Sequence, residues 1–159
     1  MKSTLEILIN NKNINDRHKL SLEWFQKNKN EKFKGWLPKL NEKNLLICKP
    51  KGIYKPKDIE YALSVRISKD SPYDDEISRN NYSETNLKYF QENKNIRERD
   101  TEYTNVGMQK CMKDKIPIGL VVQVNKKPDS TYKVLGTGII DKWKEGFYHI
   151  KIFNKYGEF

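Results

Sequence analysis

The segment that most limits the fold is Ile118 to Val124 (IGLVVQV), because it is apolar on both faces. A strand with one solvated face alternates apolar and polar residues, and a fully covered strand does not. This segment is therefore expected to be a central strand. The chain beyond it reads as more sheet. Asn125 to Ser130 is a turn, and Tyr132 to Ile140 is a second strand interrupted by Gly136 and Gly138. Glycines inside a strand mark a bulge or a tight barrel bend. Glu145-Gly146 turns the chain into Phe147 to Phe153, where Tyr148, Ile150 and Ile152 alternate with His149 and Lys151. The alternation puts His149 on the polar face, as a surface residue.

Upstream, Ser3-Thr4-Leu5-Glu6 has the form of a capping box opening a short helix. Asp16 is placed to cap a second helix running to about Asn28, with Leu20, Trp24 and Phe25 at helical spacing. His18 lies in its first turn among polar neighbours and is expected at the surface. Lys27 to Lys34 is a polar connector, and Gly35 to Pro38 a turn anchored by Trp36. Leu45 to Cys48 predicts a short apolar strand, and Pro50 to Pro56 a loop punctuated by proline and glycine. Tyr61 to Ile67 alternates as a strand. Tyr103 to Lys113 predicts a helix whose apolar stripe is Met108, Cys111 and Met112.

There is no internal repeat and no βαβ rhythm. The expected class is α+β: a strongly bent, mainly antiparallel sheet or open barrel with helices packed outside. Residues 1–44 read as an N-terminal helical extension, and residues 45–159 as one compact unit.

Chemistry is conspicuous in one place, Ser71 to Asn105. This long polar stretch holds an acidic turn (Tyr73, Asp74, Asp75, Glu76), an aromatic pair (Tyr89, Phe90) and a basic run with Arg97 and Arg99. Acid, aromatic and arginine together suit a planar, hydrogen-bonding group beside a phosphate. A solvated insertion between strands is the plain alternative. The net charge of +10 argues for a polyanion partner. Lysine-rich, asparagine-rich composition of the kind AT-rich coding produces would raise the charge of any protein, so charge alone decides little.

No apolar run approaches the roughly 20 residues of a membrane span, and a cytoplasmic protein is expected. Cys48 and Cys111 belong to no CxxC pair, and His18 and His149 lie far apart, so no zinc site, no other metal and no cofactor is expected. No phosphate-loop, dinucleotide, nucleophile-elbow or zinc-protease motif is present, and no catalytic residue is assigned. Asp74, Asp75 and Glu76 offer oxygen ligands to a metal, as in a metal-dependent nuclease. Adjacent acids are more often a solvated turn, because neighbours along a chain seldom converge on one ion.

Several pieces, in this order, resemble an SRA domain, the SET-and-RING-associated module that recognises modified cytosine in DNA. They are Gly52-Ile53, Tyr61-Ala62-Leu63-Ser64-Val65, Tyr73-Asp74-Asp75-Glu76-Ile77, Lys88-Tyr89, Tyr103-Thr104-Asn105, and Tyr132 to Gly136 with Trp143 and Tyr148. The resemblance covers roughly Lys49 to Phe153. His18 to Gln26 (HKLSLEWFQ) and the pieces around Ile53 and Tyr61 are also similar to bacterial proteins in which such a module precedes an HNH nuclease domain.

The resemblance implies double-stranded DNA with a modified base, 5-methyl- or 5-hydroxymethylcytosine, as the partner, bound by flipping the base from the duplex. Tyr73 and Tyr89 would sandwich the base and restore its lost stacking. Asp75 or Glu76 would accept from the cytosine amino group, which thymine lacks. A gapless reading puts Glu76 where the family has Asp. Lys55, Arg79, Lys94, Asn95, Arg97, Arg99 and Asn105 would be the DNA contacts. Asn95, Arg97 and Arg99 lie in a loop shorter than in eukaryotic members and would either enter the stack or hold phosphate. A restriction nuclease domain would lie beyond Phe159 or on a partner chain. The alternatives are a barrel-like module for RNA or unmodified DNA, and the metal-dependent nuclease.

Overall fold

A computed structural model describes residues 2–40, 44–48, 52–68, 81–90, 103–125 and 128–159. Within them lie helices α1 (Thr4–Ile9), α2 (Asp16–Lys27) and α3 (Tyr103–Asp114). The strands are β1 (Lys32–Lys34), β2 (Ile53–Tyr54), β3 (Ser64–Ser68), β4 (Asn81–Tyr82), β5 (Asn86–Phe90), β6 (Ile118–Asn125), β7 (Thr131–Lys144) and β8 (Phe147–Ile152). They form one sheet in the order β2-β3-β6-β7-β8-β5-β4, with β1 added along β7. Every pair is antiparallel except β3 with β6.

The doubly apolar β6 is covered on both faces, as expected. Ile118, Leu120 and Val122 join a core shared with Val65 and Ile67 of β3 and Met108 and Cys111 of α3. Val121 joins a second cluster with Phe25 of α2, Tyr132 and Val134. Gly119 allows the helix to sit close, since a Cβ there would overlap the Phe25 ring. The N-terminal residues thus share a core with the sheet, and β1 lies within it.

The sheet bends without closing. Leu120 pairs with Gly136 but Val121 with Val134, so Leu135 is an extra residue on β7, beside Gly136 at φ +109°. A second register shift falls between Ile140 and Lys142. Bulges of this kind kink a strand and increase its twist. The bend brings the two ends of the sheet together: Gly52, just before β2, lies against the hydroxyl of Tyr89 on β5.

Several expectations are corrected. The N-cap of α2 is Asn15, whose side chain accepts from the His18 backbone N–H at 2.8 Å; Asp16 is the first helical residue. The buried stripe of α2 is His18, Ser21, Leu22 and Phe25, at i, i+3, i+4 and i+7, while Leu20 is 45 % exposed. His18 is therefore a core residue. Polarity hides the stripe, because two of its four members are not apolar. Leu45 to Cys48 forms no strand, although Leu46 and Ile47 are buried. Its carbonyls are satisfied by side chains instead: the Ser64 hydroxyl donates to Leu46 O at 2.6 Å, and the Arg66 guanidinium to Cys48 O at 3.3 Å. Ile53–Tyr54, expected in a loop, pairs with β3. Within the polar connector, Lys32–Lys34 pairs with β7. Tyr61 to Leu63 precedes β3 rather than opening it.

Candidate nucleic-acid interface

Strands β5, β8 and the end of β7 set a row of aromatic residues side by side. Tyr89 pairs with Tyr148, and Tyr148 with Trp143. Directly opposed residues point to the same side of a sheet, here the concave one. The Trp143 and Tyr148 rings stack at 5.5 Å with planes 12° apart. The Tyr148 hydroxyl donates toward Asn105, with its carbonyl O and Oδ1 both at 3.4 Å, tying the first turn of α3 to β8. Tyr89 is 6 % exposed, and a Cβ on Gly52 would overlap its hydroxyl. Gly52 is thus the residue that lets the Tyr89 ring reach across the bent sheet.

Of the residues assigned from sequence, three are described. Tyr89 is in the concave core. Asn105 is fully buried in the first turn of α3. Lys55 lays its stem against Gly107 of α3, and its ammonium donates to Ile59 O at 2.7 Å and Pro56 O at 3.3 Å. Two of its three N–H donors therefore close the loop after β2. Tyr73, Asp75, Glu76, Arg79, Lys94, Asn95, Arg97 and Arg99 lie outside the described residues. The chain leaves β3 for residues 69–80 and β5 for residues 91–102, and it returns from the latter at Tyr103.

Next to Lys55 is a cleft of about 670 Å³, where the start of α2, β2 with its loop, and the start of α3 meet. Arg17, Tyr54, Lys57, Asp58 and Tyr103 line it, none of them assigned a site role from sequence. Arg17 donates to Asp58 Oδ1 at 2.6 Å and to the Tyr54 hydroxyl at 3.2 Å. The hydrogen bond from Arg17 holds the Asp58 carboxyl below its usual range. One signal is available: Arg17 is one of only five arginines in the chain. Nothing in the sequence joins it to residues some forty positions away. Tyr103 is half exposed at the mouth. Arg17, Lys55 and Lys57 thus surround one carboxylate, Asp58, with two tyrosines beside the start of α3.

Among the described residues there is no group of three metal-ligating side chains, and no helix is long and apolar enough to cross a membrane. Cys111 is fully buried, its thiol pushed up by burial and aimed at Ala62 O at 3.4 Å, as befits a core residue.

No protein-family model and no curated protein matches the sequence. Solved structures do match the backbone. The SUVH5 SRA domain, solved with fully methylated CG DNA, overlays at a TM-score of 0.49 and 16 % identity, over 76 % of this chain and 87 % of that one. KRYPTONITE, solved with mCHH DNA, an H3(1-15) peptide and SAH, overlays at 0.52 and 16 % identity, over 80 % of this chain and 32 % of that one. This chain spans about a third of KRYPTONITE's length, and the fold likeness rests on that overlay. The bent, open, mostly antiparallel sheet with its flanking helices is an SRA-like fold.

Proposed function

We propose that this protein binds double-stranded DNA carrying a modified cytosine, 5-methyl- or 5-hydroxymethylcytosine, and holds the base flipped out of the duplex. The observation that carries the reading is Tyr89. It projects into the concave side of an SRA-like sheet, one residue before the end of β5 and residues 91–102, with its hydroxyl fitted over Gly52. One face of a base sandwich needs a ring that is rigidly held yet next to the segments that would supply the rest. Tyr73 is the second face in this reading, and Asp75 or Glu76 accepts from the exocyclic amino group. Two aromatic faces offset the few kcal/mol that unstacking costs. Asn95, Arg97 and Arg99 contact the DNA around the vacated position, and Arg79 and Lys94 contact phosphate. Asn105 supports the pocket from beneath, by holding α3 to Tyr148. The domain serves to target a nuclease of HNH type, in the same chain or on a partner, and does no cleavage by itself.

The test is binding of the chain to one duplex with a central cytosine, 5-methylcytosine, 5-hydroxymethylcytosine or glucosylated cytosine, at two salt concentrations. A preference for one modified duplex that survives the higher salt is expected. Equal binding to all four that collapses with salt would mean phosphate contacts alone and would sink the reading. Tyr89 is buried, so alanine there would confuse binding with unfolding. Tyr89→Leu keeps apolar volume and removes the aromatic face. It should cost about 1–3 kcal/mol of binding, on the modified duplex only.

A further inference from the structure

The convex side of the sheet divides into two halves. Over β6 and the middle of β7 it is covered by α1 and α2, which bury Val121, Val134 and Ile139. Beyond them, the convex side of β7, β8, β5 and β4 carries a different set of residues. The register lines up Asn81, Lys88, His149 and Lys142 across four neighbouring strands. At about 4.8 Å per strand this row is roughly 14 Å long. Lys144 lies in the adjacent row, opposite Phe147, and Lys151 is two residues from His149.

Two of the four, Lys88 and Lys142, are lysines, and Lys144 and Lys151 add two more ammonium groups beside them. Asp141, 4.0 Å from Lys151, stands beside the row, and Glu84 and Glu145 sit in the hairpin turns at opposite ends. Around His149, partial burial lowers its pKa first; Lys142 and Lys88 lower it further, Asp141 raises it, and Lys144 lowers it. Lys88 is held in place by the Phe147 ring, 4.2 Å from its ammonium. An open cleft of about 270 Å³ adjoins the row, adding the amides of Asn81 and Asn86 and the Ser83 hydroxyl. The apolar part of this face is one edge-to-face pair, Phe90 and Phe147, 5.0 Å apart; the ammonium, amide and hydroxyl donors around it suit a chain of phosphates.

We propose that this uncovered half of the convex face is a second nucleic-acid contact, gripping the phosphate backbone of a DNA segment without reading its sequence. It rests on the row of charges and its register, independently of any base pocket on the concave side. A protein gripping DNA on both faces would hold two segments, or two arms of one bent duplex.

The experiment compares the unaltered chain with the triple variant Lys88→Gln, Lys142→Gln, Lys144→Gln. A control, Lys12→Gln, Lys113→Gln, Lys115→Gln, removes the same formal charge from exposed positions elsewhere. Binding to an unmodified duplex is measured against salt. The triple variant should bind at least about tenfold more weakly at low salt, with the log–log salt slope smaller by roughly 2 to 3. The control should change the slope by less than one. An unchanged slope in the triple variant, or an equal fall in the control, overturns the proposal. A second measurement needs no variant: DNA should protect Lys142 and Lys144 of the unaltered chain from an amine-acetylating reagent, and full reactivity in the complex would equally overturn it. Failure of the base reading would show differently, as loss of discrimination between modified and unmodified duplexes with the slope retained.

Discussion

The same three strands, β5, β8 and the end of β7, are two different surfaces. Inward they present Leu87, Tyr89, Tyr148, Ile150 and Trp143, packed against α3 and the far end of the sheet. Outward they present Lys88, His149, Lys142 and Lys144 around the Phe90–Phe147 pair. Alternation along a strand costs nothing in backbone geometry, so one segment can serve stability on one side and charge on the other. The two histidines sharpen the contrast. His18 sits among polar residues in the sequence, and His149 alternates with Tyr148 and Ile150 along a strand. His149 is half-buried on the basic face, while His18 is fully buried under the sheet, beside the Tyr61 ring at 6.2 Å.

The largest effect should come from the inward set. Tyr148→Ala removes a fully buried ring, its stack on Trp143 and its bond to Asn105, and should destabilise the fold by about 3–5 kcal/mol in urea denaturation. A loss of under about 1 kcal/mol would mean the aromatic row is not part of the core.

Next comes acid sensitivity through His18. Burial, then the neighbouring Arg17, lowers its pKa to about 4 from the usual 6.5. The unfolded chain takes up a proton below about 6.5, while the folded chain resists until about 4. Stability should therefore fall as pH drops through that window, by roughly 3 kcal/mol at most. His18→Leu should flatten the part of the stability–pH curve between about pH 7 and 5. An unchanged curve in that variant would assign the acid loss to other groups.

Gly52→Ala tests the contact that bends one end of the sheet onto the other. A Cβ there meets the Tyr89 hydroxyl and the Arg66 carbonyl, and overpacking of this kind costs about 1–3 kcal/mol. Adding Tyr89→Phe should recover part of that loss, since it removes the overlapping oxygen. Full additivity of the two changes would refute the contact.

The smallest effect belongs to the cleft rim. Arg17→Lys keeps the charge but gives up the two-pronged grip on Asp58 and Tyr54, and should shift stability by no more than about 1 kcal/mol. A larger shift would mark Arg17 as part of the core rather than of a surface.

Of the candidate site, residue types are more legible in the sequence than their positions. Tyr89 stands out as one of an isolated aromatic pair, but its partner on the concave face, Tyr148, comes from a strand some sixty residues later. The place of Asn105 before a helix suggests a DNA contact, and the fold buries it against Tyr148. Lys55 reads as a DNA contact as well, yet its ammonium closes a loop. A cation is visible in sequence; whether its donors face solvent or carbonyls depends on how the loop after β2 folds back.

Local rules suffice wherever the deciding contacts lie within a few residues. Ser3 and Glu6 form the expected capping box, each side chain meeting the other's backbone N–H. Met108 and Cys111 face the core from α3. The β7–β8 hairpin turns at Glu145-Gly146, and β6 is covered on both faces. Each comes from a period, a cap or a turn, all of which the chain specifies by itself. The tertiary structure decided the rest. It buried His18 and Ser21 in the stripe of α2, drew Ile53–Tyr54 and Lys32–Lys34 into the sheet, and set Gly52 under Tyr89. Each of these depends on a partner far along the chain. No local pattern encodes which distant backbone will supply the missing hydrogen bonds, or which distant ring will need the space.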